Sequence, residues 1–185
     1  NVTVFFGCVG KDKQAEILET RARDDGVNVR YQKKSDQVTG KCAVLITGKH
    51  RSLIAHLAAA NHFSEDHILQ EENFRYLEQA EYFYISGFFI TVSPPSILTV
   101  AKKALERNKP FMMNLSAPFI SQFFKEPLLQ IMPYIDILFG NESEALTFSK
   151  EQNFATENLI EIGFKMVKLP KANELRPRVV VLTQG

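Results

Sequence analysis

Cysteine is scarce in this sequence: Cys8 and Cys42 are the only two among 185 residues, and no C-x-x-C pair occurs. Two thiols cannot build the disulfide framework of a small secreted domain. Reduced thiols in a cytoplasmic or nuclear compartment are the expectation. An excess of one charge is missing as well. Lys and Arg number 22 against 21 Asp and Glu, a net charge of +1, which removes the basic footprint of a nucleic-acid binder. No apolar run approaches the ~20 residues of a membrane span, so neither nucleic acid nor membrane is an expected partner. No charged n-region followed by an apolar stretch is seen, so no signal peptide is expected. Neither G-x-G-x-x-G nor a Walker loop is present, and a G-x-S-x-G elbow is absent. No Ser-His-Asp or Cys-His arrangement stands out. His50, His56, His62 and His67 lack metal-ligand spacing and read as surface or capping residues.

What is present suffices for a packed core. Apolar residues make up 45% and charged residues 23%, ordinary for a globular chain and too apolar for disorder. The chain enters directly into an apolar strand, Val2–Phe6, ending at Gly7. A helix follows over about 13–24, with Ala15, Ile17, Leu18 and Ala22 near 3.6 spacing and Gly26 as its stop. Three short strand-like runs, 27–32, 41–47 and 52–56, are joined briefly enough to predict a small antiparallel meander. From 68 onward, helices alternate with apolar strands. Helices are predicted over 68–79, from Ser93 to about Arg107, over 120–131 broken by Pro127, over 142–150 and over 156–167. Strands are predicted over 82–86, 111–115, 135–139 and 178–183. Fully apolar strands between helices imply an α/β fold, a mostly parallel sheet covered on both faces. The expected division is a core of 1–26 and 57–185, with 27–56 as part of a small β lid.

Ligands of open parallel sheets sit beyond the carboxyl ends of the strands, and residues there have two readings each. Gly7-x-x-Gly10-x-Asp12 could bring backbone N–H groups to an anion or be a plain strand-to-helix turn. Asn141-Glu142-Ser143-Glu144 could be a capping box, or an amide and a carboxylate holding hydrated Mg²⁺ beside phosphates. Arg51 could be a solvated charge, or could stabilise a transferring phosphoryl group. Phe88-Phe89 could be core, or could stack on an aromatic base.

Taken together, several strings resemble the adenosine kinases, within the ribokinase-like, PfkB-type sugar and nucleoside kinase family. They are Phe5-Phe6-Gly7-Cys8-Val9-Gly10-Lys11-Asp12, Thr39-Gly40-Lys41-Cys42-Ala43, Arg51-Ser52-Leu53-Ile54-Ala55 with Ala58-Ala59-Ala60-Asn61, Ile85-Ser86-Gly87-Phe88-Phe89, Thr91-Val92-Ser93-Pro94, Asn114 through Phe123, Asp136 through Glu142, and Thr183-Gln184-Gly185. The resemblance covers essentially all 185 residues. It implies a ribokinase-like fold and ATP- and Mg²⁺-dependent phosphorylation of the 5′-hydroxyl of adenosine to AMP, a step of purine salvage. Leu53 and Ala55 match lid residues that touch the nucleoside. Phe88 and Phe119 match aromatic neighbours of the purine, and Arg51 matches a phosphate-side arginine. Asn141 and Glu144 match an N-x-x-E motif for magnesium, through water, and phosphate. Thr183 and Gly185 match the strand end along ATP. His56 departs from the pattern, where asparagine is more usual.

The same resemblance predicts an early glycine pair before residue 1 and a Gly-Ala-Gly-Asp motif, with the general-base aspartate, beyond Gly185. The expectation is a central fragment, with a sheet incomplete at both ends and no measurable kinase activity of its own, from an enzyme expected to be monomeric. Two alternatives remain open on these residues. One is a catalytically dead nucleotide-binding or interaction module. The other is a related sugar kinase, against which the apolar character of Leu53, Ala55, Phe88 and Phe119 counts.

Overall fold

A computed structural model describes residues 2–185. The chain forms two compact units, 1–73 and 74–185, and the resulting fold is α/β.

The first unit begins with β1 (Thr3–Gly10), α1 (Lys13–Asp24) and β2 (Val27–Lys34). Asp12 is the N-cap of α1, accepting from the Ala15 N–H. Gly26, at φ 78°, supplies the left-handed turn that sends the chain back. β2 then pairs in parallel with β1, from Thr3 against Val27 to Gly10 against Lys34. This corrects the expected three-stranded meander over 27–56. The short connections between 27–32 and the runs after it suggest a meander, but α1 is a crossover, and a crossover returns a parallel neighbour. Only β3 (Lys41–Thr47) and β4 (His50–His56) form the antiparallel hairpin, turning at Gly48 with φ 60°.

A 3₁₀ turn over Ala58–His62 leads to α2 (Glu65–Leu69) and α3 (Glu71–Gln79), so the single helix expected over 68–79 is two. Extended backbone at Gln70, with ψ 133°, separates them. His67 corrects the expectation of a surface histidine. It is buried, with Nε2 2.9 Å from the Arg30 carbonyl and edge-on contacts to Phe6 and Phe63. A carbonyl only accepts, so Nε2 carries the proton. His50, His56 and His62 are exposed as expected.

The second unit contains β5 (Phe83–Ile85), α4 (Pro94–Glu106), β6 (Phe111–Asn114), α5 (Pro118–Phe123), α6 (Lys125–Ile131), β7 (Ile137–Asn141), α7 (Glu142–Glu151), α8 (Leu159–Val167) and β8 (Val179–Thr183). Its four strands form a parallel sheet in the order β5-β6-β7-β8. Ser93 caps α4 through Ser96, with prolines in the first turn as the sequence predicts. The break in the expected 120–131 helix falls at Phe124 rather than Pro127. Pro127 sits in the first turn of α6, where a missing N–H costs nothing. Phe111, Met113, Ile120, Leu128, Leu138 and Phe148 are fully buried and form the heart of this unit.

One buried charge pins the last strand. Arg178, 3% exposed, donates from Nε to the Ile135 carbonyl, from Nη1 to Met166 and Leu169, and from Nη2 to Met132 and Pro170, all at 2.8–3.1 Å. All five donors of the guanidinium are thereby used. Burial pulls its pKa below the ordinary value, and the negative charge of Asp136 opposes that shift. Asp136 is itself held by the Phe111 N–H at 2.9 Å, by Lys171 at 2.5 Å and by Arg176 at 3.2 Å. Arg178→Met removes every donor and leaves five carbonyls facing an apolar side chain. The expected cost is about 3–5 kcal/mol, read in thermal unfolding of the protein as its gene encodes it as a fall of roughly 10 °C. A melting temperature within a degree or two of the parent would contradict this account of β8.

Candidate functional site

In the second unit, the strand ends meet residues of four different connections. β5 runs into a 3₁₀ turn over Gly87–Thr91, and the close approach there requires glycine. A Cβ on Gly87 would lie 2.1 Å from the Asn114 carbonyl oxygen. The Gly87 N–H also donates to Asn114 Oδ1 at 2.7 Å. The ends of β5 and β6 are thus tied by backbone proximity and a side-chain bond together. Phe88 follows at once, 36% exposed, and meets Phe119 of α5 edge-to-face at 6.0 Å and 87°. Phe119 in turn meets Phe124 at 6.5 Å. Phe88 and Phe119, anticipated as purine neighbours, therefore share one aromatic cluster. The hydroxyls of Ser86 and Ser116 lie 3.4 Å apart. Ser116 has φ 69°, and the Ala117 N–H closes a tight turn on the Leu115 carbonyl.

The end of β7 carries the second group. Asn141 is the N-cap of α7 and Glu144 its third residue, and the capping box is complete. Asn141 Oδ1 accepts from the Glu144 N–H at 2.9 Å and from the Ser143 hydroxyl. Glu144 Oε2 accepts from the Asn141 N–H and Oε1 from Asn141 Nδ2, both at 3.0 Å. Glu144 is 7% exposed and Asn141 is exposed. Thr183 sits opposite Asn141 in the β7–β8 register, and its hydroxyl donates to the Gly140 carbonyl at 3.3 Å. Gly185 follows, with open space where a Cβ would stand. The structure thus brings Asn141, Glu144 and Thr183 together at one strand mouth.

The capping and magnesium readings of Asn141 and Glu144 are compatible. Each carboxylate oxygen spends one acceptor site on Asn141 and keeps another. A direct metal bond would compete with the cap, whereas a bond from a metal-bound water would not. Among the described residues no group of three His, Cys, Asp or Glu is arranged to hold a metal ion. The chemistry of these residues would suit a hydrated Mg²⁺ whose inner ligands are waters and phosphate oxygens, and they make no protein cage. The dipole of α7, ten residues long, favours negative charge at the same end.

Arg51, Leu53 and Ala55 belong to the first unit, on β4. At alternate positions they share one face of the hairpin, opposite Ile46, Val44 and Cys42 of β3. Every residue of both strands is exposed. That face is apolar apart from the arginine.

Three contributors have weak signals in the sequence. Asn114 reads as the end of an apolar strand, and its bond to Gly87 spans 27 residues. Thr39 lies in a loop and yet is 2% exposed. The left-handed turn at Ser116 has no glycine to announce it. All three fall inside strings that carry the family resemblance, but composition and spacing alone do not single them out.

The family model described as "pfkB family carbohydrate kinase" matches residues 1–185. Adenosine kinase 2 of Arabidopsis thaliana is 46% identical over 183 residues, covering 99% of this chain and 53% of that protein. The adenosine kinase of Dictyostelium discoideum is 44% identical, covering 98% and 53%. Among solved structures, Anopheles gambiae adenosine kinase in complex with P1,P4-di(adenosine-5) tetraphosphate superimposes with a TM-score of 0.95 at 55% identity, covering 98% of this chain and 54% of that one. The chain spans about half the length of the curated relatives it matches. With the family model matching from end to end and these relatives aligned over nearly every residue, the chain belongs to the PfkB family of carbohydrate kinases.

Proposed function

We propose that the protein carrying this chain transfers the γ-phosphate of ATP to the 5′-hydroxyl of adenosine, forming AMP and ADP. The observation that carries this reading is the Phe88–Phe119 pair beside a strand mouth, in a chain 55% identical to an adenosine kinase of known structure. An aromatic pair offers a purine a stacking surface and offers a free sugar nothing to hydrogen-bond. The exposed apolar face of Leu53 and Ala55 likewise suits an apolar base better than a free sugar. Arg51 supplies positive charge for phosphate oxygens as they pass from donor to acceptor. Thr183 and Gly185 offer a hydroxyl and open backbone to the nucleotide at the end of β8.

Phosphoryl transfer depends mostly on positioning and charge stabilisation. Mg²⁺, when bound, neutralises charge on the phosphate oxygens. Glu144 and Asn141 would hold its water shell while continuing to cap α7. A Gly-Ala-Gly-Asp string, whose aspartate would serve as general base, does not occur among these 185 residues.

The direct test is AMP formation from ATP, magnesium and adenosine by the protein as its gene encodes it, with ribose and fructose as rival acceptors. Phe88→Ala should raise the KM for adenosine about tenfold, the worth of a lost stacking contact and its burial, and leave the KM for ATP nearly unchanged. Equal changes in both constants, or a preference for ribose or fructose, would overturn the assignment.

Glu144→Gln separates a metal role from a capping role. The amide keeps an oxygen for the Asn141 N–H and loses only the acceptor for the exposed Asn141 Nδ2, so melting should fall by no more than a few degrees. Loss of a carboxylate outside the inner shell should cost about 10–100-fold in turnover at limiting magnesium, partly recovered as magnesium is raised. An unchanged magnesium requirement with a lowered melting temperature would leave Glu144 as a cap alone.

A further inference from the structure

The β3–β4 hairpin is exposed along both strands, so what fixes its direction lies at its base. There the chain passes itself at very short range. A Cβ on Gly10 would stand 2.4 Å from the Gln37 carbonyl oxygen and 2.9 Å from the Thr39 nitrogen. A Cβ on Gly40 would stand 2.6 Å from the Leu57 carbonyl oxygen. Between these two crossings sits Thr39, buried at 2% exposure. Its hydroxyl accepts from the Gly10 N–H at 3.0 Å and donates to Asp12 Oδ1 at 2.6 Å. Its own N–H donates to Asp12 Oδ2 at 2.7 Å. On the other side of the base, the Ala59 N–H donates to the Val38 carbonyl at 3.0 Å.

An ordinary N-cap uses one side-chain oxygen on one early helix N–H. Asp12 does that with Ala15 at 2.9 Å, and then binds Thr39 with both oxygens. The Thr39 hydroxyl, followed by the Thr39 and Ala15 N–H groups, holds the Asp12 carboxyl below its usual range. The ionised form, which accepts at both oxygens, is the one the arrangement favours.

We infer that Asp12 is a positioning residue: its carboxylate latches the base of the β3–β4 hairpin through Thr39 and so sets the direction in which Arg51, Leu53 and Ala55 are presented to the phosphate acceptor. The consequence for the acceptor rests on the function proposed above, whereas the latch rests on this geometry alone. The glycines at the two crossings let the chain run close enough for one carboxylate to reach both the helix start and the hairpin base.

Two substitutions cut the latch differently. Asp12→Asn keeps an oxygen for the Ala15 N–H but turns an NH₂ toward the Thr39 N–H. Thr39→Val removes the hydroxyl and leaves the cap of α1 untouched. Thr39→Ser keeps the hydroxyl and serves as the rescue. The readout is hydrogen exchange at the Ala59 amide, which none of these substitutions touches, together with the KM for adenosine and for ATP, all on the protein as its gene encodes it. Ala59 exchange should quicken about tenfold in Asp12→Asn and Thr39→Val, the effect of one lost charge-assisted hydrogen bond. It should stay near the parent rate in Thr39→Ser, and α1 amides should stay protected in Thr39→Val. The adenosine KM should rise several-fold, roughly in step with the exchange, with the ATP KM unchanged. Quickened Ala59 exchange with both constants unchanged would uphold the latch and overturn its role in presenting the acceptor site. Parent-like Ala59 exchange in both cutting variants, or an equal rise across α1 and β1, would overturn the latch.

Discussion

The guanidinium of Arg178 gathers carbonyls from the last turn of α8 and the segment just after it, and those at 132 and 135, around one buried positive charge. A buried cation is costly unless every donor is used and an opposite charge lies near. Here five carbonyls use the donors and Asp136 supplies the charge. The consequence reaches the far end of the strand. With Arg178 fixed, β8 has one register against β7, and in that register Thr183 falls opposite Asn141. A shift of a single residue would turn every β8 side chain to the other face and separate those two residues. The order at the candidate phosphate site is therefore anchored at the opposite edge of the sheet.

The two ends of the second unit's sheet divide the work. One end is sealed, with Asp136, Lys171, Arg176 and Arg178 satisfying each other and the surrounding backbone. The other end is left open, with Asn141 and Thr183 exposed and Phe88 more than a third exposed. Rigid strands with exposed loops at one mouth are what a binding site needs, since loops carry chemistry and the scaffold holds it in place. The Gly87–Asn114 bond and the capping box of α7 fix two of these loops without using the aromatic surface of Phe88 or the outer lone pairs of Glu144.

Much of this was legible in the sequence, because the strands of the second unit are apolar on both faces and its helices carry strong caps. Ser93 with Pro94, and Asn141 with Glu144, mark their helix starts through local bonds that span three residues. Reading failed where pairing was long-range. β2 reads as part of a meander from its short connection to the next run, because its parallel neighbour lies 24 residues earlier, in β1. His67 looked like a surface residue because the groups that bury it, Phe6 and the Arg30 carbonyl, come from distant strands. Pro127 suggested a break, yet a proline in the first turn of a helix breaks nothing. The individual site residues could be named by resemblance, but the bonds that hold them, Asn114 to Gly87 and Asp12 to Thr39, join residues 27 apart.

The most direct measurement is a crystal structure of the protein as its gene encodes it, grown with adenosine. The purine ring should pack against Phe88 and Phe119, with the ribose 5′-hydroxyl directed toward the Asn141 end of the same sheet. Adenosine ordered elsewhere, with Phe88 and Phe119 free of contact, would contradict it.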